Sequence, residues 1–462
     1  MRTLLNVTNF LSLTFLFIAS VLFLVFGVQL SLAVTEFEKA DWTNDSFDLP
    51  EKIPGEYPGK WYGFYCTDVP RNKLLGVRHG EAWPDQKVIN SWGYKAKPIE
   101  EIKDLIPESY YVIATNPQSW GDLRINETAY IPMKEWPGEH QRYRREVTEK
   151  NKGKARLDEK GLLKDWTLGM PFPGTENGAE LGWNFVNARN YGQELLARFA
   201  TAVVDRKGQR RYSTTDQCYL WWKGRLHGEH SPSIEPNPHN YDFYSSLGFS
   251  SPYDLKGLVM ITHRYDSLKP DDMWMYIPVL RRVRRMATTQ RWDKFPGGSD
   301  LCYDAVTGFQ GKVTNYDWKY LGRKELLVPR QAKDMIHEAK GKLLGACDQW
   351  YQRENVVMVE YIPRINSIIS KAIMYLDPNI YSCYYVEFYD KRGRQYLLMV
   401  YPWVIHTTGY QSPIGFCVYD LQRIHSSLIN TYDEYQDLDG EAIGVNPSFF
   451  QMEFQKKRYG AR

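Results

Sequence analysis

Cysteine is scarce in this chain of 462 residues: there are six, and none sits in a Cys-x-x-Cys pair. Neither a thioredoxin-type redox site nor a zinc ribbon fits that spacing. Walker-type and dinucleotide-type glycine loops are missing, as is the Gly-x-Ser-x-Gly elbow of a serine hydrolase. Charge of one sign is missing too. Lys and Arg total 58 against 55 Asp and Glu, a net charge of +3, so the overall field gives no argument for nucleic acid. Beyond the first 28 residues no apolar run approaches the ~18 residues of a membrane-spanning helix. Aromatic residues, by contrast, are plentiful, with 33 Tyr, 20 Phe and 15 Trp. Such a composition favours strands and amphipathic surfaces over helical bundles.

The uncharged, mostly apolar run Phe10–Val28 follows Arg2 and precedes Ser31-Leu32-Ala33. This is the layout of an export signal cleaved after Ala33. Left uncleaved, the same segment would anchor the chain in the inner membrane. The predicted organisation is a signal peptide over 1–33, an N-terminal arm and charged extension over 34–165, and a β-sheet domain over 166–462. In an exported chain Cys66, Cys218, Cys302, Cys347, Cys383 and Cys417 are free to form bridges. The alternatives are one bridge among Cys347, Cys383 and Cys417, or buried free thiols.

Within the extension, Ile99–Ile106 reads as a short helix and Tyr110–Ala114 as a strand. The dense charge of Gln141–Lys164 reads as a solvated helix followed by a loop. Gln331–Leu344 is the best helix candidate in the second half. From about Ala200 the pattern is persistently β, with turn signals at Asp377-Pro-Asn379 and Asp390-Lys-Arg-Gly393. Successive strands with short turns predict an α+β, mainly β fold: an antiparallel sheet that must curl or close.

The stretch Lys256–Pro329 is the most informative. Read as one strand, Asp272–Met286 alternates Trp274, Tyr276, Leu280, Arg282 and Arg284 on one face with Arg285 on the other. Pro278 inside that run argues for an edge strand or a bulge. The apolar early part makes Trp274, Tyr276 and Leu280 candidates for lining a ligand cavity, or for ordinary core. The basic late part makes Arg282, Arg284 and Arg285 candidates for a polar rim that meets a partner, lipid phosphates or neighbouring carboxylates. His227-Gly-Glu-His230, with His239 beyond it, lies among Gly and Pro, without the helical spacing of a zinc enzyme. No metal, cofactor or catalytic residue is expected.

The words Asp272-Met-Trp-Met-Tyr-Ile-Pro-Val-Leu-Arg-Arg-Val-Arg-Arg285, Gly298-Ser-Asp300, Leu321-Gly-Arg-Lys-Glu-Leu-Leu-Val-Pro329 and Gly169-Met-Pro-Phe-Pro173 resemble the domain-of-unknown-function 1329 family. Tyr375-Leu-Asp377 and Phe388-Tyr-Asp-Lys-Arg-Gly393 fit the same resemblance, which runs from about Trp166 to the C-terminus. It implies a periplasmic protein similar to the LolA/LolB lipoprotein-sorting proteins. The implied fold is a strongly curved antiparallel sheet, a half-open barrel whose concave face is plugged by helices. It also implies work beside an RND-type exporter and an outer-membrane partner, with lipid, acyl chain or sterol-like compound as ligand. No catalytic residues come with it. The expected function is a non-enzymatic carrier or accessory protein binding a hydrophobic molecule, without nucleic acid. The rivals are a transporter-docking adaptor with a filled core, and a glycan-active enzyme.

Overall fold

A computed structural model describes residues 58–63, 67–70, 99–121, 124–128, 139–187, 194–226, 230–329, 349–405, 411–413, 415–437 and 445–459. The predicted signal segment, the helix expected over 331–344, Cys66, Cys347, His227 and Glu229 lie outside those residues. In chain order come strands β1 (Pro58–Gly63), β2 (Thr67–Pro70) and β3 (Arg124–Thr128), then a small hairpin of β4 (Arg156–Leu157) and β5 (Leu163–Lys164). A first meander follows: β6 (Glu194–Val204), β7 (Arg210–Trp221), β8 (Tyr241–Ser251), β9 (Val259–Tyr265), β10 (Asp272–Ile277) and β11 (Arg282–Arg285). The second comprises β12 (Tyr316–Val328), β13 (Gln349–Pro363), β14 (Ile369–Leu376), β15 (Cys383–Asp390) and β16 (Gln395–Val400). A side hairpin, β17 (Trp403–Ile405) and β18 (Gln411–Pro413), precedes β19 (Gly415–Asp420) and β20 (His425–Asp437). The helices are α1 (Glu108–Ala114), α2 (Pro117–Trp120), α3 (Glu139–Asn151), α4 (Gly178–Asn187) and α5 (Met452–Arg458).

The two meanders join where β20 pairs with β6, giving one sheet of sixteen strands among the described residues. Every pairing in it is antiparallel except that of β3 with the start of β13. The turn at Asp390–Gly393 forms as its residues predict. The Asp390 carboxylate accepts the main-chain N–H groups of Arg392 and Arg394, and Gly393 supplies a φ of +76°. Tyr110–Ala114 departs from the expected strand and lies inside α1. The burial of Tyr110, packed on Tyr385 with ring centroids 5.7 Å apart, overrides its strand propensity.

The curvature follows from two hydrogen bonds. Arg264 on β9 donates to the Gln310 carbonyl at 2.6 Å, and Tyr361 on β13 donates to the Gly308 carbonyl at 3.1 Å. Those strands stand nine steps apart in the sheet, roughly 43 Å if it were flat. Both nonetheless reach residues two positions apart in one segment. The sheet therefore curls around residues 286–315, which cross its concave face from β11 at one edge to β12 at the other.

Directly opposed residues of an antiparallel pair share a face, so the register assigns the two sides. The convex face is covered by the 3₁₀ turn Ile99–Leu105 with α1 and α2, and elsewhere by Pro447–Phe450 and α5. Beneath α1, Glu387 of β15 accepts from the Ser109 N–H at 3.0 Å, the Ser109 hydroxyl at 2.6 Å and the Tyr375 hydroxyl at 2.6 Å. Cys218, Cys302, Cys383 and Cys417 are buried, unpaired thiols, so no bridge joins Cys383 to Cys417. Burial pushes Cys218, Cys302 and Cys417 up to about 12, leaving them inert as nucleophiles.

Candidate functional site: a slot beneath a crossing segment

Between the concave face and residues 295–310 lies a slot of about 770 Å³, its solvent-open mouth included. Only about 70 Å³ of it can be occupied by the centre of a water molecule, so it is narrow. Strands β19, β20 and β6 contribute Phe416, Ile429, Phe199 and Thr201. From β7 come Ser213, Thr215 and Gln217, and from β8 and β9 Leu247, Phe249, Met260 and Thr262. The roof is Phe295, Leu301, Tyr303, Val306 and Gln310. None of the lining side chains carries a charge.

Two latches hold this roof. At one end Arg291 and Arg264 enclose Asp271 and Asp304. The Arg291 guanidinium donates to Asp304 at 2.6 Å, to Asp271 at 2.8 Å and to the Gln310 carbonyl at 2.9 Å. Arg264 donates to Asp271 at 2.8 Å and to the Gly311 carbonyl at 3.1 Å. The Tyr316 hydroxyl adds a bond to Asp304 at 2.7 Å. Burial works to raise the Asp271 carboxyl, but the two arginines outweigh it and hold it down at about 2. Burial likewise pushes the neighbouring Lys312 ammonium down to about 8, against the pull of Asp271.

At the other end Gly298-Ser-Asp300 fastens to β19 and β20. Asp300 accepts from Lys294 at 2.9 Å, from the Ser427 hydroxyl at 3.0 Å and bonds the His425 ring, while Lys294 also reaches Asp420 at 3.0 Å. Gly308, between Asp304 and Gln310 in the chain, has a φ of +94° and lies against β14 and β15. A side chain there would be strained by that φ and would crowd Val386 and Met374.

Two residues of the roof bury side-chain polar groups that have no partner among the described residues. The Gln310 side-chain amide, on a residue 1% exposed, makes no hydrogen bond at either end, and neither does the Tyr303 hydroxyl. Each such group costs about 1–3 kcal/mol when buried unpaired.

The residues singled out in Asp272–Met286 fall elsewhere. The run is a hairpin and not one strand: Pro278–Leu280 form a 3₁₀ turn, and Arg281 takes a left-handed conformation that reverses the chain. Its register puts Trp274 opposite Arg285 and Met275 opposite Arg284, so the faces expected from continuous alternation are redistributed. Trp274 and Tyr276 lie on the convex face, among Cys218, Ile261, Phe449 and Phe450, with Lys456 of α5 over the Tyr276 ring. Leu280 is 60% exposed at the turn. None of the three lines the slot; Met273, Met275 and Ile277 are the residues of β10 whose register puts them on the concave side. Arg282, Arg284 and Arg285 are exposed on β11, the sheet's edge strand. Arg285 pairs with Asp272, whereas Arg282 and Arg284 have no ion pair with a described residue. The exposed Val279 and Val283 accompany them. His230 and His239 are exposed, and among the described residues no three His, Cys, Asp or Glu are grouped to hold a metal ion.

Residues 138–452, more than half of the chain, match the family model described as "Protein of unknown function (DUF1329)". The chain belongs to the DUF1329 family. An uncharacterized protein of Pseudomonas aeruginosa is 26% identical over 264 residues, which span 54% of this chain and 56% of that relative. The chain thus matches about half the length of that curated relative. Among solved structures, a candidate outer-membrane lipoprotein-sorting protein domain from Vibrio parahaemolyticus is similar at TM-score 0.44 and 19% identity, over 60% of this chain and 98% of its own. A DUF1329 family protein from Desulfovibrio piger is similar at TM-score 0.42 and 15% identity, over 59% and 97%. A LolA superfamily protein from Nitrosomonas europaea is similar at TM-score 0.39 and 11% identity, over 59% and 98%. With TM-scores below 0.5, these likenesses carry no argument about the DUF1329 chain described here. Among the described residues no helix is long and apolar enough to cross a membrane.

Proposed function

We propose that this DUF1329 protein is an exported, non-enzymatic carrier that holds a hydrophobic molecule in the slot beneath residues 295–310. The observation that carries the reading is the slot itself: uncharged, rich in aromatic and aliphatic side chains, and roofed by a segment fastened at both ends. A lipid, acyl chain or sterol-like molecule entering it gains roughly 25 cal/mol per Å² of apolar surface removed from water. Because the free space is narrow, loading requires the roof to move outward, and the ligand selects that open state. Replacing Leu247 by Trp, which fills the slot from β8, should abolish retention of hydrophobic molecules while the fold survives.

The export reading rests on the Phe10–Val28 run and Ser31-Leu32-Ala33. In it, residues 1–33 direct the chain to the periplasm and 166–462 form the carrier proper, to whose sheet β1, β2 and β3 add three strands. Unloading would involve an RND-type exporter or an outer-membrane partner, met through the β10–β11 hairpin. Arg282 and Arg284 offer that hairpin two cations without an ion pair to any described residue. The double variant Arg282→Glu/Arg284→Glu should therefore weaken association with acidic surfaces, and the wild-type association should fade as salt rises. Equal binding of wild type and variant at low salt would leave the hairpin without that role. A second reading, an adaptor with a filled core, draws on the narrowness of the slot. It predicts that Leu247→Trp leaves function unchanged.

A further inference from the structure

We infer that the slot selects an uncharged lipid with a single hydroxyl or carboxamide head group, held by Gln310 and Tyr303. This rests on the carrier reading and names the class of ligand for that same slot. A charged head would enter a site whose lining offers no counter-charge, and burying an unpaired ion is far costlier than burying a neutral dipole. The cations that fasten the roof cannot supply one, and Lys294 is taken up by Asp300 and Asp420. Arg264 and Arg291 spend their donors on Asp271, Asp304 and the carbonyls of Gln310 and Gly311.

Gln310 is built for the neutral alternative. Its main chain is fixed three ways: its N–H donates to the Asp304 carbonyl at 2.9 Å, and its carbonyl accepts from Arg264 at 2.6 Å and Arg291 at 2.9 Å. Its side chain, buried in the slot lining, keeps both its NH2 group and its carbonyl oxygen without a partner among the described residues. The Tyr303 hydroxyl, in the same lining, is also unpartnered, and its ring is held under the Arg291 guanidinium at 4.6 Å. An amide that must both give and receive is matched by a hydroxyl or a carboxamide, which do the same. A carboxylate only accepts, and it would leave the donor-seeking amide oxygen unpaired.

The test uses the full chain, freed of bound lipid, with the neutral fluorophore N-phenyl-1-naphthylamine as reporter. Oleyl alcohol, oleamide and oleate at pH 9 share one hydrocarbon chain and differ in the head. The alcohol and the amide should displace the reporter at least about tenfold more effectively than oleate. Gln310→Met, close in volume, should erase that preference, and Tyr303→Phe should reduce it, with near-ultraviolet circular dichroism unchanged. Equal or better displacement by oleate overturns the head-group inference and leaves the carrier reading standing. So does a preference that survives in both variants. If the reporter does not bind, or binds the Leu247→Trp variant equally well, the carrier reading falls and the inference falls with it.

Discussion

Arg291→Met is expected to lower the stability of the fold by about 3–5 kcal/mol, the usual cost of removing one partner from a buried ionic cluster. The arginine is 5% exposed and bonds Asp304, Asp271 and the Gln310 carbonyl at once. Its loss leaves Asp271 to Arg264 and Lys312, leaves Asp304 without an ion pair among the described residues, and frees the end of the crossing segment. Urea unfolding followed by tryptophan fluorescence should show a lower midpoint with a similar slope. The double variant Arg291→Met/Asp304→Leu should recover part of the loss, because a charge left buried alone is the larger part of the damage. A single variant as stable as wild type would mean that this latch does not hold the roof. Lys269, Arg285 and the other cations on the rim should cost far less, since exposed pairs contribute about 0–1 kcal/mol.

Stability should also fall as pH drops from about 6.5 to about 4, and His263 should be the cause. Its ring stacks on Tyr244 with centroids 3.9 Å apart and meets the edge of Trp274 at 5.0 Å, on the convex face under Phe450. Burial pushes the imidazole down to about 4, against smaller opposing effects of the Phe450 main chain and Asp272. Between those pH values the folded ring stays neutral while the unfolded ring takes up a proton, so acid favours unfolding. The contribution is fully present above pH 6.5, is lost progressively below it, and reaches its limit near pH 4. It amounts to up to about 3 kcal/mol, less whatever solvent screens at the partly exposed ring. His263→Phe should flatten the profile between pH 7 and 4.5. Parallel profiles for wild type and variant would remove His263 as the origin.

The stretch Lys256–Pro329 proved to be the centre of the molecule for a different reason than its alternation suggests. Period-2 reading assumes an unbroken strand, and the left-handed Arg281 breaks it, so the predicted faces could not hold past Pro278. What the stretch does contain is the machinery of the roof: Arg264, Asp271, Arg291, Asp300, Asp304 and Gln310. A buried ion cluster leaves no periodic mark, because its members are scattered along loops and meet only in three dimensions. The wall of the slot was hidden for another reason. In β7 one face reads Ser213, Thr215, Gln217, Tyr219 and the other Tyr212, Thr214, Asp216, Cys218. Both faces mix polar and apolar residues, so no hydrophobic alternation marks the strand. The mainly β class and the curling sheet were readable, because aromatic and β-branched runs between turn residues act locally. Burial of α1 was not, because the groups that hold it, Tyr385 against Tyr110 and Glu387 on Ser109, lie far along the chain.

The claim that this protein carries a hydrophobic molecule is tested most directly by solvent extraction and mass spectrometry of the purified chain beside its Leu247→Trp variant. The account predicts lipid near one equivalent in the wild type, uncharged and bearing a hydroxyl or amide, and almost none in the variant. Wild type and variant alike free of lipid, or equally loaded, would contradict it.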